Sequence, residues 1–265
     1  DKDFKELYSE IEEKRLPLCS IGLSDIHKSA LIAGICEKSG KKAAVLTATE
    51  SEATQVTDDL NSFGINAIML NFRDYDLTRS ISGSREYEQM RTDTLSKVSD
   101  GGFDALVFSC DSAVCYTVSP EILKNSKLSV KFEDTIDLED FCEKVTLSGY
   151  QRAELCESAG QFSVRGGILD IFPVNLENPV RIDLFGDEID RMSYFDPDTQ
   201  RRTSDLKEFD IIPAFELLQS TEILAENIEN FLIKNEGEIS EKQKRYIRRD
   251  IETLRAGGYV NRDIY

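Results

Sequence analysis

The stretch GQFSVRGGILDIFPVNLENPVRIDLFGDEIDRMSYFDPDTQRRTSDLKEFDIIPA, residues Gly160–Ala214, decides how this chain is read. Four runs within it alternate apolar and polar residues: Gln161–Arg165, Ile168–Phe172, Val180–Phe185 and Ile189–Phe195. Turn-forming residues separate them, at Gly166-Gly167, from Pro173 to Pro179, and at Gly186-Asp187. The pattern predicts an antiparallel sheet with one face in water. Successive strand side chains point to opposite faces. Val180, Ile182 and Leu184 therefore fall on one side, and Arg181, Asp183 and Phe185 on the other. In the first run Phe162 and Val164 form the inner set, with Gln161, Ser163 and Arg165 outward. If the first and third runs lie near one another, Arg165, Arg181 and Phe185 share an outer surface.

A lone exposed aromatic is ordinary. Flanking arginines raise its interest, because arginine and aromatic residues are the types most enriched at interface hot spots. The three residues read either as a binding patch or as part of a sheet face that is solvated or covered by other parts of the chain.

With 265 residues, 40% of them hydrophobic, the chain has material for one large or two small domains. No apolar run approaches the roughly 20 residues of a membrane helix, and the start, DKDFKELYSE, lacks signal-peptide shape, so a cytoplasmic location is expected. Six cysteines, at 19, 36, 110, 115, 142 and 156, form no CxxC pair, and there is one histidine. Reduced, mostly buried thiols are expected, with neither a metal site nor a disulfide framework. The net charge of −18 disfavours autonomous DNA binding unless positive charge is concentrated somewhere. Lys242, Lys244, Arg245, Arg248, Arg249 and Arg255 form the best concentration. Beside Glu238, Glu241, Asp250 and Glu252 they read as a solvated helix face, with a nucleic-acid site as the alternative.

Near the N-terminus, Phe4, Leu7 and Ile11 have helical spacing within Asp3–Lys14, and a short apolar run, Leu16–Cys19, follows. The segment SIGLSDIHKS places Gly22, then His27, Lys28 and Ser29, in the pattern of a phosphate-binding loop whose second glycine is replaced. Such a loop wraps backbone N–H groups around an anion, with the lysine on phosphate and the hydroxyl on magnesium. His27 brings bulk where the backbone must come close. A nucleotide site also needs an acidic magnesium partner after a later strand, and Asp111, followed by SAVC, has no catalytic glutamate beside it. The loop reads as vestigial, and no cofactor is expected.

Strands at Ala43–Thr47, Ala67–Leu70 and Ala105–Phe108 alternate with helices at Glu52–Phe63 and Glu86–Val98, which predicts a parallel sheet with helices on both faces. Ser82 or Ser84 is the expected cap of the second of these helices. The rhythm breaks at Cys115–Lys127, where Pro120 interrupts it. Beyond lie a strand at Leu128–Phe132, a helix at Leu138–Leu147 and the four runs above. After Pro213 the pattern turns helical, with Ile223, Leu224, Ile228, Phe231 and Leu232 on one stripe and a further helix over Lys242–Leu254. Three parts are expected: 1–117, 118–213 and 214–265. No nucleophile-histidine-carboxylate set, metal cluster or calcium loop has diagnostic spacing, and no enzyme activity is expected of this chain.

The runs RGGILDIFPVN, PVRIDLFGDEIDRMSYFDPDTQR and IIPAFE resemble the second domain shared by bacterial transcription-repair coupling factors and the excision-repair helicase UvrB. The segment Asn71–Arg91 is also similar to coupling factors. The resemblance implies a small α/β domain with an antiparallel sheet, inserted into a degenerate helicase-like parallel-sheet domain to which the C-terminal helices return. It implies docking on UvrA, the damage-recognition ATPase, through Arg165, Arg181 and Phe185. It also implies that the chain is a piece of a longer translocase, whose contacts with RNA polymerase and DNA run through parts not present here. His27 and the missing tyrosine-rich DNA-clamping hairpin set the chain apart from UvrB. The alternative is a UvrB-like helicase fragment with a working ATP site from Gly22 to Ser29.

Overall fold

A computed structural model describes residues 2–14, 16–72, 85–216, 221–235, 237–256 and 260. The expected caps Ser82 and Ser84 lie outside the described residues. The fold is mixed α/β, with a parallel three-stranded sheet, an antiparallel pair and a six-stranded sheet that is antiparallel but for one pairing. Contacts group residues 1–73 with 94–116 as one unit and 74–93 with 117–265 as another.

The first unit contains α1 (Lys2–Glu12), α2 (Asp25–Ser39), β1 (Ala43–Thr47), α3 (Glu50–Ser62) and β2 (Ala67–Leu70). The second half of α4 (Arg85–Asp100), then β3 (Ala105–Ser109) and α5 (Cys110–Ala113), complete it. The strands are parallel in the order β1-β3-β2. Thr49 starts α3 by accepting the backbone N–H of Glu52, which satisfies one of the donors a helix start leaves open. Ala53 and Leu60 of α3, Ala33 and Cys36 of α2 and Val107 of β3 form its apolar centre. On the other face of β1, Ala44 and Leu46 are exposed.

The second unit continues with α6 (Pro120–Asn125), β4 (Leu128–Lys131), α7 (Leu138–Leu147), β5 (Gln151–Arg152), β6 (Gln161–Arg165), β7 (Ile168–Ile171), β8 (Val180–Phe185) and β9 (Glu188–Phe195). Last come β10 (Arg202–Asp205), β11 (Glu208–Ile211), α8 (Thr221–Lys234) and α9 (Glu241–Arg255). Pro120 starts α6 instead of only breaking a pattern. Ser119 caps it, and proline is tolerated in a first turn, where its missing N–H has no partner to lose.

Six strands form one sheet in the order β10-β9-β8-β7-β6-β5, while β4 and β11 pair separately and antiparallel. All pairings in the larger sheet are antiparallel except that of β5 with β6. Two glycine-bearing turns fix its register, with Arg165 opposite Ile168 and Phe185 opposite Glu188. At Gly167 a Cβ would stand 2.9 Å from the Leu184 carbonyl oxygen, so the close approach of the two chains requires glycine. Phe162, Leu169, Ile171, Val180, Ile182 and Met192 pack one face onto Phe141 and Val145 of α7. This is the inner face that alternation assigns to β6 and β8.

The helical stripe after Pro213 needs correction. Leu224, Ala225, Ile228 and Leu232 pack on Ile251 and Leu254 of α9, whereas Ile223 and Phe231 are exposed. A two-helix contact covers a narrow stripe, and one apolar residue beside it stays outside on each of the two turns. Ser240 and Gln243 close a reciprocal capping box at the start of α9.

Candidate docking face and the N-terminal loop

The outer face of the large sheet differs from the expected wet surface. Ser163, Asp170 and Ser193 are buried on it, so Ser163 is not outward in the sense of meeting solvent. Polar side chains roof one another there. Asp170 is fully buried and accepts from Arg181 through both carboxylate oxygens, from Nε at 2.6 Å and Nη2 at 2.8 Å. Arg165 Nη2 reaches the same carboxylate at 2.7 Å. Two guanidiniums thus pair with one buried carboxylate, the kind of charged partner that a charge out of water requires. Cross-strand pairing explains the meeting: Asp170 is opposite Arg181 on β8 and opposite Ser163 on β6, two positions from Arg165.

Arg181 is closely confined. Its Nη1 donates to the Gln200 carbonyl oxygen at 3.0 Å and its Nη2 to Gln200 Oε1 at 3.1 Å. The guanidinium also lies 4.5 Å from the centre of the Phe195 ring. The hydrogen bond to Asp170, foremost, holds the Arg181 pKa above its ordinary value. Beside this group Arg202 grips both oxygens of Asp183 at 2.6 Å and donates to Ser193 Oγ. Cys156, buried, donates through Sγ to the Gln161 carbonyl oxygen.

The three expected residues thus have unequal settings. Arg165 is half-exposed, with its side chain 42% accessible, whereas the Arg181 side chain is only 11% accessible. Phe185, at the end of β8, is 81% exposed. The structure brings Arg165 and Arg181 together on one carboxylate, and leaves Phe185 standing at the β8–β9 turn. Alternation along the strands put all three outward, which Arg181, nearly buried, is not. It missed Asp170 and Gln200, although a charged residue inside ILDI, brought opposite Arg181 by counting through the turns, was a usable signal.

At the N-terminal loop, Gly22 has φ +81° and α2 begins at Asp25, so His27, Lys28 and Ser29 lie in its first turns. Ser24 Oγ and His27 Nδ1 are hydrogen-bonded at 2.8 Å. Lys28 pairs with Asp25 at 2.8 Å, and this bond holds its pKa above the ordinary value. Ser29 is buried and donates to Asp59 Oδ2 at 3.1 Å and to the Asp25 carbonyl oxygen at 3.3 Å. Its hydroxyl faces the protein's own carboxylate.

Among the described residues no group of three histidine, cysteine or acidic side chains could hold a metal ion, and no helix is long and apolar enough to cross a membrane. The six cysteines are unpaired, but burial is less general than expected: Cys36 and Cys156 are buried, while Cys19 and Cys110 are exposed.

Residues 128–217 match the family described as the UvrB interaction domain, and the six-stranded sheet with α7 packed against it lies within them. Over most of its length the chain is also similar to the transcription-repair-coupling factors. It is 30% identical over 219 residues to that of Bacillus subtilis (strain 168), covering 82% of this chain and 18% of the relative. It is 28% identical over 205 residues to that of Staphylococcus aureus (strain bovine RF122 / ET3-1), covering 77% and 18%. The chain therefore spans about a fifth of the length of these relatives.

Proposed function

We propose that this chain is a non-catalytic protein-docking module that recruits UvrA in nucleotide excision repair, using the face that carries Arg165, Arg181 and Phe185. Phe185 fills an apolar pocket of the partner, and the guanidinium charge beside it complements acidic groups there. One observation carries the reading: Phe185 is 81% exposed at the end of a strand whose Val180 and Ile182 are wholly buried. A large ring held out on a rigid strand end is a low-entropy anchor. At Asp170 two guanidiniums meet one carboxylate, a local surplus of one positive charge in a chain of net charge −18.

The proposal extends to the longer protein. The first unit is a degenerate helicase-like domain into whose sequence the docking domain is inserted. The whole, as the resemblance implies, is a cytoplasmic ATP-driven translocase that displaces stalled RNA polymerase from DNA, and this chain supplies the recruiting surface. Titration of purified UvrA tests the docking role. The wild-type chain is expected to bind, and Phe185→Ala to bind about 30-fold more weakly, the scale of a hot-spot truncation. Equal affinity for the two chains would falsify the assignment.

A further inference from the structure

The docking reading leaves the division of labour between the two arginines open, and the geometry separates them. Arg181 is occupied on every side the structure describes. Its Nε and Nη2 fork the buried Asp170, its Nη1 and Nη2 meet Gln200, and its plane lies against Phe195. Arg165 touches the same carboxylate with Nη2 alone and remains half-exposed.

Gln200 is unusual in its own right. It has φ +60°, in the left-handed region that residues with a Cβ enter at a cost. Its side chain is tied at both ends. Oε1 accepts from Arg181, while Nε2 donates to the carbonyl oxygens of Pro197 at 2.7 Å and Cys156 at 3.3 Å. A strained backbone position whose two oxygens converge on one guanidinium points to a placement role. The turn that carries it is braced independently: Gln200 N donates to the Asp196 carbonyl oxygen, and Asp196 Oδ1 accepts from the N–H groups of Asp198 and Thr199.

We infer that Asp170 and Gln200 are positioning residues of the docking face, and that Arg181 acts with them to aim Arg165 instead of touching the partner itself. The chain of contacts runs from Gln200 to Arg181, from Arg181 to Asp170, and from Asp170 to Arg165. Asp170 supplies a fixed acceptor that holds Arg165 in one direction; Arg181 and Gln200 fix Asp170. Prepaying the ordering of a long side chain is how a half-exposed arginine gains affinity for an acidic partner group. This inference rests on the docking reading.

A double-mutant cycle on UvrA affinity tests it. Asp170→Asn removes the charge that holds the two guanidiniums together, and Gln200→Gly removes the clamp while suiting the left-handed backbone. Gln200→Gly also serves as the second variant should Asp170→Asn fail to fold. Each is expected to weaken UvrA binding about tenfold, the scale of one charge-assisted hydrogen bond, and to have no further effect once Arg165→Ala is present. The same losses should persist in a Phe185→Ala background. Equal losses with and without Arg165, or no loss in either variant, overturn the positioning role while the docking reading stands. Absence of UvrA binding by the wild-type chain, or indifference to Phe185→Ala and Arg165→Ala, overturns the docking reading and this inference with it.

Discussion

Arg181 and Phe185 share strand β8 yet meet opposite surroundings: the Arg181 side chain is 11% accessible and Phe185 is 81% exposed. Their truncations should therefore separate stability from binding. Arg181→Ala leaves the fully buried Asp170 with Arg165 alone, and breaking one side of a buried ion pair costs about 3 kcal/mol. Arg181→Glu is expected to be worse, because it sets a second carboxylate against Asp170. Phe185→Ala should stay within about 0.5 kcal/mol of wild type. Urea unfolding followed by circular dichroism reads both values, and equal stability of the Arg181 and Phe185 variants would contradict the geometry.

The hairpin between β6 and β7 gives a backbone test. Gly167→Ala would place a Cβ 2.9 Å from the Leu184 carbonyl oxygen, an atom that cannot swing aside. The same glycine's carbonyl oxygen accepts from Leu184 N at 2.7 Å, so the strands cannot separate without losing that bond. A loss of about 2 kcal/mol is expected in the same unfolding measurement. An unchanged midpoint would mean that the two chains lie further apart than described.

At the N-terminal loop, Lys28 and Ser29 are engaged with Asp25 and Asp59. A nucleotide would have to displace both contacts, and we expect calorimetry with ATP and magnesium to register no binding at micromolar concentrations. Micromolar binding that Lys28→Ala abolishes would instead favour the UvrB-like alternative.

Thiol chemistry reports on the buried side of the docking face. Burial, with the Asp170 charge adding, pushes the Cys156 pKa up to about 12. A raised folded-state value means that the folded form holds the proton more tightly. The associated stability is present below the unfolded value of roughly 8.5 and is lost as pH rises toward the folded one. At pH 8 Cys156 should resist an alkylating reagent while the exposed Cys19 and Cys110 react, as peptide mass spectrometry would show. Fast modification of Cys156 would mean that the segment over the sheet opens readily.

The sheet was legible because its residues obey a period of two and its turns carry glycine and proline, so β6, β8 and α7 lie where the sequence puts them. The short strands β5, β10 and β11 were not, since runs such as RTSD and EFDI gain strand character only from the partners beside them. Alternation marked Arg165, Arg181 and Phe185 as an outward set, although Arg181 proves nearly buried. Their inequality was not legible, because it depends on Gln200, remote in the chain and placed by a left-handed turn that no periodic signal announces. The exposed positions of Ile223 and Phe231 likewise follow from the narrow contact of α8 with α9.

Site-specific photocrosslinking addresses the docking face most directly. A benzoylphenylalanine placed in turn at Phe185, Tyr116 and Phe231, all exposed aromatic positions, samples both units of the chain. With purified UvrA, the account predicts a crosslinked product from position 185 and none from 116 or 231. Crosslinking from 116 or 231, with position 185 silent, would contradict it.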